Sequence, residues 1–308
     1  MKKIIALLLT LTMVAGLLTA CGNKAGNDKT ADGNKDTSPK TETNSGTNSG
    51  TDTNAGTDST SNNETAAGDL KTGLAVITSL GSSKNATADA EGTAQVDSFV
   101  AAVLVDANGK IVDCKVDAAQ TKIKFNSKGE ITTPLDSVIK TKQELGEEYG
   151  MKGRSGIGKE WNEQADFFAN YVIGKTVDEV KGIAVNEEGY PTDADLTAGV
   201  TVHITDFIEG VAKAVANAQA LGAKTGDKLG LGVYTEINKS KNASADAAGQ
   251  AQAYTYYGVA TFDKDGKITS AILDASQGNV NFDASGVITS DLTAAVQTKQ
   301  ELKEAYGM

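Results

Sequence analysis

The chain has 308 residues, a length that fits about two domains, with 33 Gly, 3 Pro, 2 Cys, 1 His and 5% aromatic residues. Two Cys cannot build a disulfide scaffold, and one His argues against a His-rich metal site or a Ser-His-Asp triad. A net charge of -11 sets the surface against the phosphates of DNA or RNA, so no nucleic-acid partner is expected.

Residues 1–20 read as a targeting segment and stand outside fold reasoning. Lys2 and Lys3 precede the apolar run Ile4–Leu18, which is too short for a lasting membrane span. It closes on Leu18-Thr19-Ala20-Cys21, which resembles the lipobox of bacterial lipoproteins, whose Cys becomes the lipidated N-terminus. The resemblance implies a lipid on Cys21, a membrane partner through that lipid, and an address at the outer face of the cytoplasmic membrane. A Gram-positive cell is expected, because the reach of the tether that follows suits a folded head held within such a wall. Residues 21–69 follow as a tether almost entirely of Gly, Ser, Thr, Asn, Asp, Ala and Lys. Such a segment buries too little apolar surface to offset its ordering entropy. As a coil it averages roughly 40 Å end to end, and at full stretch it reaches about 160 Å.

The folded part carries an internal repeat. Gly73–Met151 aligns without a gap on Gly230–Met308, with about 35 of about 79 positions identical. The expected organisation is one complete unit, 70–222, and the front half of a second, 223–308. Each front half reads as β structure. A strand is expected over Gly73–Leu80, another over Asp97–Val105, and a third over Lys110–Val116 after the Asn108-Gly109 turn. Asn-Gly between apolar runs is a strong hairpin signal, because both residues accept positive φ. The second copy keeps the device as Asp265-Gly266. A further strand, Thr121–Phe125, is expected to turn at Lys128-Gly129, echoed by Ser285-Gly286.

The back half of the first unit reads as helices. Trp161, Ala165, Phe168 and Val172 recur at helical spacing, and a second helix is expected over about 206–221, with Asp206 as N-cap and Glu209 closing a capping box. Strands first and helices afterwards predict an α+β fold: a mostly antiparallel sheet with covering helices.

Few side chains offer chemistry. Cys114, expected on one strand face with Val112 and Val116, reads as a buried hydrophobe rather than a redox group. Glu144, Glu147 and Glu148 read as solvated surface charge, and the Trp161 helix as core. Tyr254, Tyr256 and Tyr257 form either a ligand or glycan platform or ordinary sheet packing. The polar segment Lys84–Gln95 is well matched to Lys241–Gln252, which is expected either from recent duplication or from a shared duty at a site or contact surface.

The stretch Val105-Asp106-Ala107-Asn108-Gly109-Lys110-Ile111-Val112-Asp113-Cys114-Lys115-Val116 resembles the hairpin of the covalent-FMN-binding domain family, over roughly residues 70–222. That family occurs in membrane-anchored electron-transfer lipoproteins and in subunits of membrane redox pumps. Its motif is Asp-x-x-Ser/Thr-Gly-Ala-Thr before a final helix, and a magnesium-dependent flavin transferase joins the Thr hydroxyl to the FMN phosphate. This chain reads Asp195-Leu196-Thr197-Ala198-Gly199-Val200-Thr201. Asp195, Gly199 and Thr201 match; Ala198 replaces Ser or Thr, and Val200 replaces Ala.

The resemblance implies covalent FMN on Thr201. The phase of the last helix makes Thr205 the second choice, and His203 between them is placed to donate to a phosphate or to water. A Gly admits the close approach of a phosphate, and a helix N-terminus favours its charge. The expected function is a surface-tethered extracytoplasmic electron carrier, with a flavin transferase and a membrane dehydrogenase or quinone-linked donor as partners. The alternative is a flavin-free ligand-binding or structural lipoprotein on the same fold. No standalone catalytic constellation is expected.

Overall fold

The computed structural model describes residues 68–307. Cys21, the leader and the tether as far as residue 67 lie outside the described residues. Three strands, β1 (Lys71–Ser79), β2 (Gly92–Val105) and β3 (Ile111–Phe125), form one antiparallel meander. The helical half follows as α1 (Lys142–Leu145), α2 (Trp161–Tyr171), α3 (Val177–Lys181), α4 (Ala194–Thr197) and α5 (Thr205–Ala216). A second meander, β4 (Lys228–Glu236), β5 (Gly249–Phe262) and β6 (Ile268–Phe282), precedes α6 (Lys299–Leu302).

The α+β class is as expected, and each copy forms its own three-stranded antiparallel sheet; the long helices α2 and α5 cover only the first. Alternation along β2 explains the layering. Phe99, Ala101, Val103 and Val105 face Trp161, Phe168, Phe207 and Val211 of the helices. Val100, Ala102 and Leu104 face Leu229, Tyr257 and Val259 of the second sheet. With both faces covered, the run from Ser98 to Val105 is buried throughout.

Three local expectations change. The strands expected at 110–116 and 121–125 are one continuous β3, because Asp117–Gln120 keep their pairing with Asp97–Val100. Val112 is exposed rather than beside Cys114: the register shifts between Leu104, paired with Asp113, and Val105, paired with Ile111, so Ile111 takes the buried place. Such a bulge re-aims the side chains around it. The last helix starts at Thr205 and ends at Ala216, with Ile204 as N-cap and no side-chain cap. Asp206 therefore sits in the first turn, where its charge suits the helix dipole, and closes no capping box with Glu209. The expected turns do form, with Gly109, Gly129, Gly266 and Gly286 at φ between 68° and 78°.

The two repeats pack against each other through reciprocal contacts. The Ala86 N–H donates to the Gly286 carbonyl (2.9 Å), and the Ala243 N–H donates to the Gly129 carbonyl (2.7 Å). Asn85 Oδ1 accepts the Ile288 N–H (2.8 Å), and Asn242 Oδ1 accepts the Ile131 N–H (2.9 Å). Between these loops the rings of Phe125 and Phe282, equivalent residues, stack at 4.2 Å. The well-matched polar loops are thus a contact surface between the copies, since each Asn side chain satisfies a backbone donor of the other.

Candidate functional site

A cavity of about 410 Å³ opens between the first sheet and the start of α5. β1 contributes Ile77 and Ser79, β2 Asp97 and Phe99, and β3 Ala118 and Gln120. The opposite wall is Trp161 at the head of α2, with Val202, His203 and Phe207 from the segment that enters α5. The aromatic wall is preformed. Phe207 stacks on Phe99 at 4.7 Å and meets Trp161 edge-on at 5.7 Å. Lys142 is held over two rings, 5.0 Å from the centroid of Tyr149 and 5.1 Å from that of Trp161, so its ammonium is steered by cation–π attraction.

Polar groups in this cavity are incompletely satisfied. Asp97 Oδ2 accepts from Gln95 Nε2 at 2.7 Å, while Asp97 Oδ1 is buried and has no hydrogen-bond partner among the described residues. An orphaned carboxylate oxygen carries a desolvation cost that a ligand donor relieves. Ile204 lacks a capping group, so the first N–H groups of α5 keep no side-chain acceptor, and Asp206 and Phe207 of that turn line the same cavity.

The residues singled out in the sequence do not converge on one point. Asp195 is exposed on α4, near Tyr171, whose phenol is held above its usual range by burial and by the carboxylates of Asp193 and Asp195. Gly199 is buried, and a Cβ there would lie 2.3 Å from the Phe167 ring, so this glycine admits an aromatic side chain. The Thr201 N–H donates to Gln164 Oε1 at 2.7 Å, and its hydroxyl lies 3.3 Å from the same oxygen. Gln164 is fully buried and donates to Ser155 Oγ and the Lys159 carbonyl, which locks this segment onto α2.

His203 alone of the five lines the cavity; it is exposed and meets Tyr190 edge-on at 5.9 Å. Thr205 opens α5, and both it and His203 pack on Gly189, where a Cβ would lie 2.6 Å from the Thr205 hydroxyl. Gly189 has φ 82°, which closes the Asn186–Gly189 turn beneath them.

Sequence reasoning missed Asp97, Lys142 and Tyr149 as lining residues. The signal was present for two of them: Lys142 and Tyr149 lie in blocks repeated as Lys299 and Tyr306. Cys114 is buried and burial pushes its thiol far up, as fits a core residue. Glu144 does more than carry surface charge, because with Thr141 it closes the capping box of α1. The three tyrosines of β5 divide: Tyr257 is buried and bonds Ser276 Oγ at 2.8 Å, whereas Tyr256 is exposed.

No helix among the described residues is long and apolar enough to cross a membrane. No family model matches the chain, and no solved structure matches it. Over 41 residues, 13% of this chain, the sequence is 54% identical to a chlorophenol reductase of Desulfitobacterium hafniense. The match spans 12% of that protein's length.

Proposed function

We propose that this chain is a surface-tethered lipoprotein that carries FMN as an extracytoplasmic electron carrier, with the flavin ring in the Phe99–Trp161–Phe207 cavity. The carrying observation is the orphaned Asp97 Oδ1 at the edge of an aromatic-walled cavity of about 410 Å³. That chemistry fits a planar heteroaromatic ring: Phe99, Trp161, Phe207 and Val202 supply apolar faces, and Asp97 accepts from an imide N–H. Lys142, which lines the same cavity, would place positive charge beside the ring and stabilise its reduced, anionic form. The bound flavin supplies the redox chemistry, and the protein supplies position and potential.

Thr201, or in second place Thr205, would provide the oxygen on which a flavin transferase places FMN, the new O–P bond replacing the pyrophosphate bond of a flavin dinucleotide donor, with the nucleoside monophosphate as leaving group. Esterified, Thr201 no longer donates from its hydroxyl to Gln164, but its backbone N–H keeps the shorter bond. The uncapped start of α5 offers N–H groups to the phosphate. In this reading Cys21 carries the lipid at the outer face of the cytoplasmic membrane, and a membrane dehydrogenase or quinone-linked donor feeds the ring.

The second reading is a flavin-free lipoprotein that takes a ligand or partner on the same fold. It is favoured by the two motif residues whose roles packing already fills: Gly199 seats Phe167, and Thr201 anchors to Gln164. The test is intact mass after co-expression with a flavin transferase. An increment of one FMN, retained in Thr205→Ala and lost in Thr201→Ala, upholds the carrier with Thr201 as acceptor. An unmodified, colourless chain that takes up no flavin on titration overturns it.

A further inference from the structure

The second sheet turns to solvent the face that the first sheet buries under helices. Ile77, Phe99 and Val116 of the first unit correspond to Tyr234, Tyr256 and Leu273, which are 59%, 43% and 74% exposed. Ala75 and Ala101 correspond to Gly232 and Gly258, which the β4–β5 register sets side by side. In the first unit this strip is where α5 lies: Gly73 sits under the Ala214 carbonyl, and Phe99 sits under Gly210. A Cβ on Gly232 would meet nothing within 4 Å. An apolar patch floored by glycine and walled by tyrosine marks an interaction surface.

The seat of the α2 tryptophan is repeated with its bonds. The Gln143 N–H donates to Asp117 Oδ1 at 3.1 Å, and its Nε2 donates to the Val116 carbonyl at 3.1 Å. The Gln300 N–H donates to Asp274 Oδ1 at 3.0 Å, and its Nε2 donates to the Leu273 carbonyl at 2.6 Å. Lys142 lies under Trp161 in the first unit; its counterpart Lys299 borders an open cavity of about 360 Å³ with Tyr256, Leu273 and Gln300.

The rim of this face continues an interface already made in the other direction. Ala295 and Val296 of the second unit line a groove with Ile208 and Ala212 of α5, and Lys213 of α5 pairs with Glu301. The counterparts of Ala295, Val296 and Glu301 are Val138, Ile139 and Glu144. Val138 is 84% exposed, and among the described residues no lysine pairs with Glu144. Ile139 bridges Thr235 of β4, so the segment that carries Val138 and Glu144 borders the second sheet.

We propose that the open face of the second sheet is the seat of a helical segment built like α2 and α5. That segment brings an aromatic residue for the Tyr256–Lys299 socket, small residues for the Gly232–Gly258 strip, and a lysine for Glu144. Its chemistry follows from the helices that cover the equivalent face, from the continuity of the rim with the α5 contact, and from the charge of Glu144.

The test appends a copy of residues 152–222 after Met308 of the full chain and reads far-ultraviolet circular dichroism, dye binding to exposed apolar surface, and light scattering. The expected result is a gain in helical signal and a several-fold fall in dye fluorescence relative to the unappended chain. Leu273→Glu reverses both changes in the appended chain while leaving the melting midpoint of the unappended chain in place. Glu144→Lys, remote from the second sheet's own fold, weakens docking of the appended segment. An appended segment that stays unfolded, with dye binding unchanged, overturns the proposal. So does an unappended chain that is a dimer dissolved by Leu273→Glu, because the face then belongs to a second copy.

Discussion

The two repeats solve one packing problem in opposite ways, and exchanging the solutions tests whether the sheets share a core. Gly278 on β6 lies against Val96 on β2: a Cβ at 278 would stand 2.4 Å from Val96 Cγ1 and 3.0 Å from Cγ2. The repeat-equivalent positions carry the reverse pair, Thr121 and Ala253, both buried. Gly278→Thr alone forces its side chain into Val96, an overpacking cost of about 1–3 kcal/mol. Relief of a strand glycine's entropy returns about 0.5–1 kcal/mol of this. Val96→Ala alone removes two buried methyl groups and leaves a void beside Gly278, a loss of about 2–3 kcal/mol.

The double variant places a threonine opposite an alanine, as the other half does, and refills the void. Its loss falls well short of the sum, with a coupling of at least ~1.5 kcal/mol. Equilibrium urea unfolding followed by circular dichroism and fluorescence measures the cycle, with coincident transitions licensing the two-state treatment. Costs that add to within about 0.5 kcal/mol refute the face-to-face packing of β2 on β6.

Two further outcomes follow from single residues. Lys303 holds φ 47° and ψ -124°, where its counterpart Gly146 holds φ 48° and ψ -120°; Lys303→Gly relieves that strain, raising stability by about 1 kcal/mol, and a melting midpoint that stays or falls contradicts it. Asp117 is pushed above the usual carboxylate range by burial, against hydrogen bonds from Thr141 and the N–H groups of Gln143 and Ala118, with Glu144 adding to the rise. Because the folded value lies above the unfolded one, its contribution is full below about pH 3.9 and is lost as pH rises through the folded value. Asp117→Asn keeps an acceptor oxygen for both N–H groups, so the variant gains on the native chain as pH goes from 4 to 7. A pH-independent difference between the two unfolding curves counts against this assignment.

Much of the architecture was legible because its signals are local. The Asn108-Gly109 and Asp265-Gly266 turns form where positive φ is admitted, and the Trp161 helix runs from Trp161 to Tyr171. The three β5 tyrosines show where local reading stops: adjacency grouped them, but strand alternation sends Tyr257 into the inter-sheet core and Tyr256 to solvent. Asp117–Gln120 look like a break because they are polar and small, yet pairing with β2 carries the strand through. Of the candidate site, the sequence pointed to His203 and the entry into α5, and the repeat marked Lys142 and Tyr149 without placing them; Asp97 required the fold, because β2, α1 and α2 meet only in three dimensions.

The sequence by itself determined the repeat, the turns, the helical half of the first unit and the few reactive side chains, all properties of residues within a few positions or of direct identity between copies. Only the tertiary structure decided that the copies pack face to face, that Asn85 satisfies Ile288 across the interface, and that helices cover one sheet while the other stands open. Those outcomes rest on contacts between residues tens to about two hundred positions apart, whose buried donors and apolar faces find partners only when the whole chain has folded.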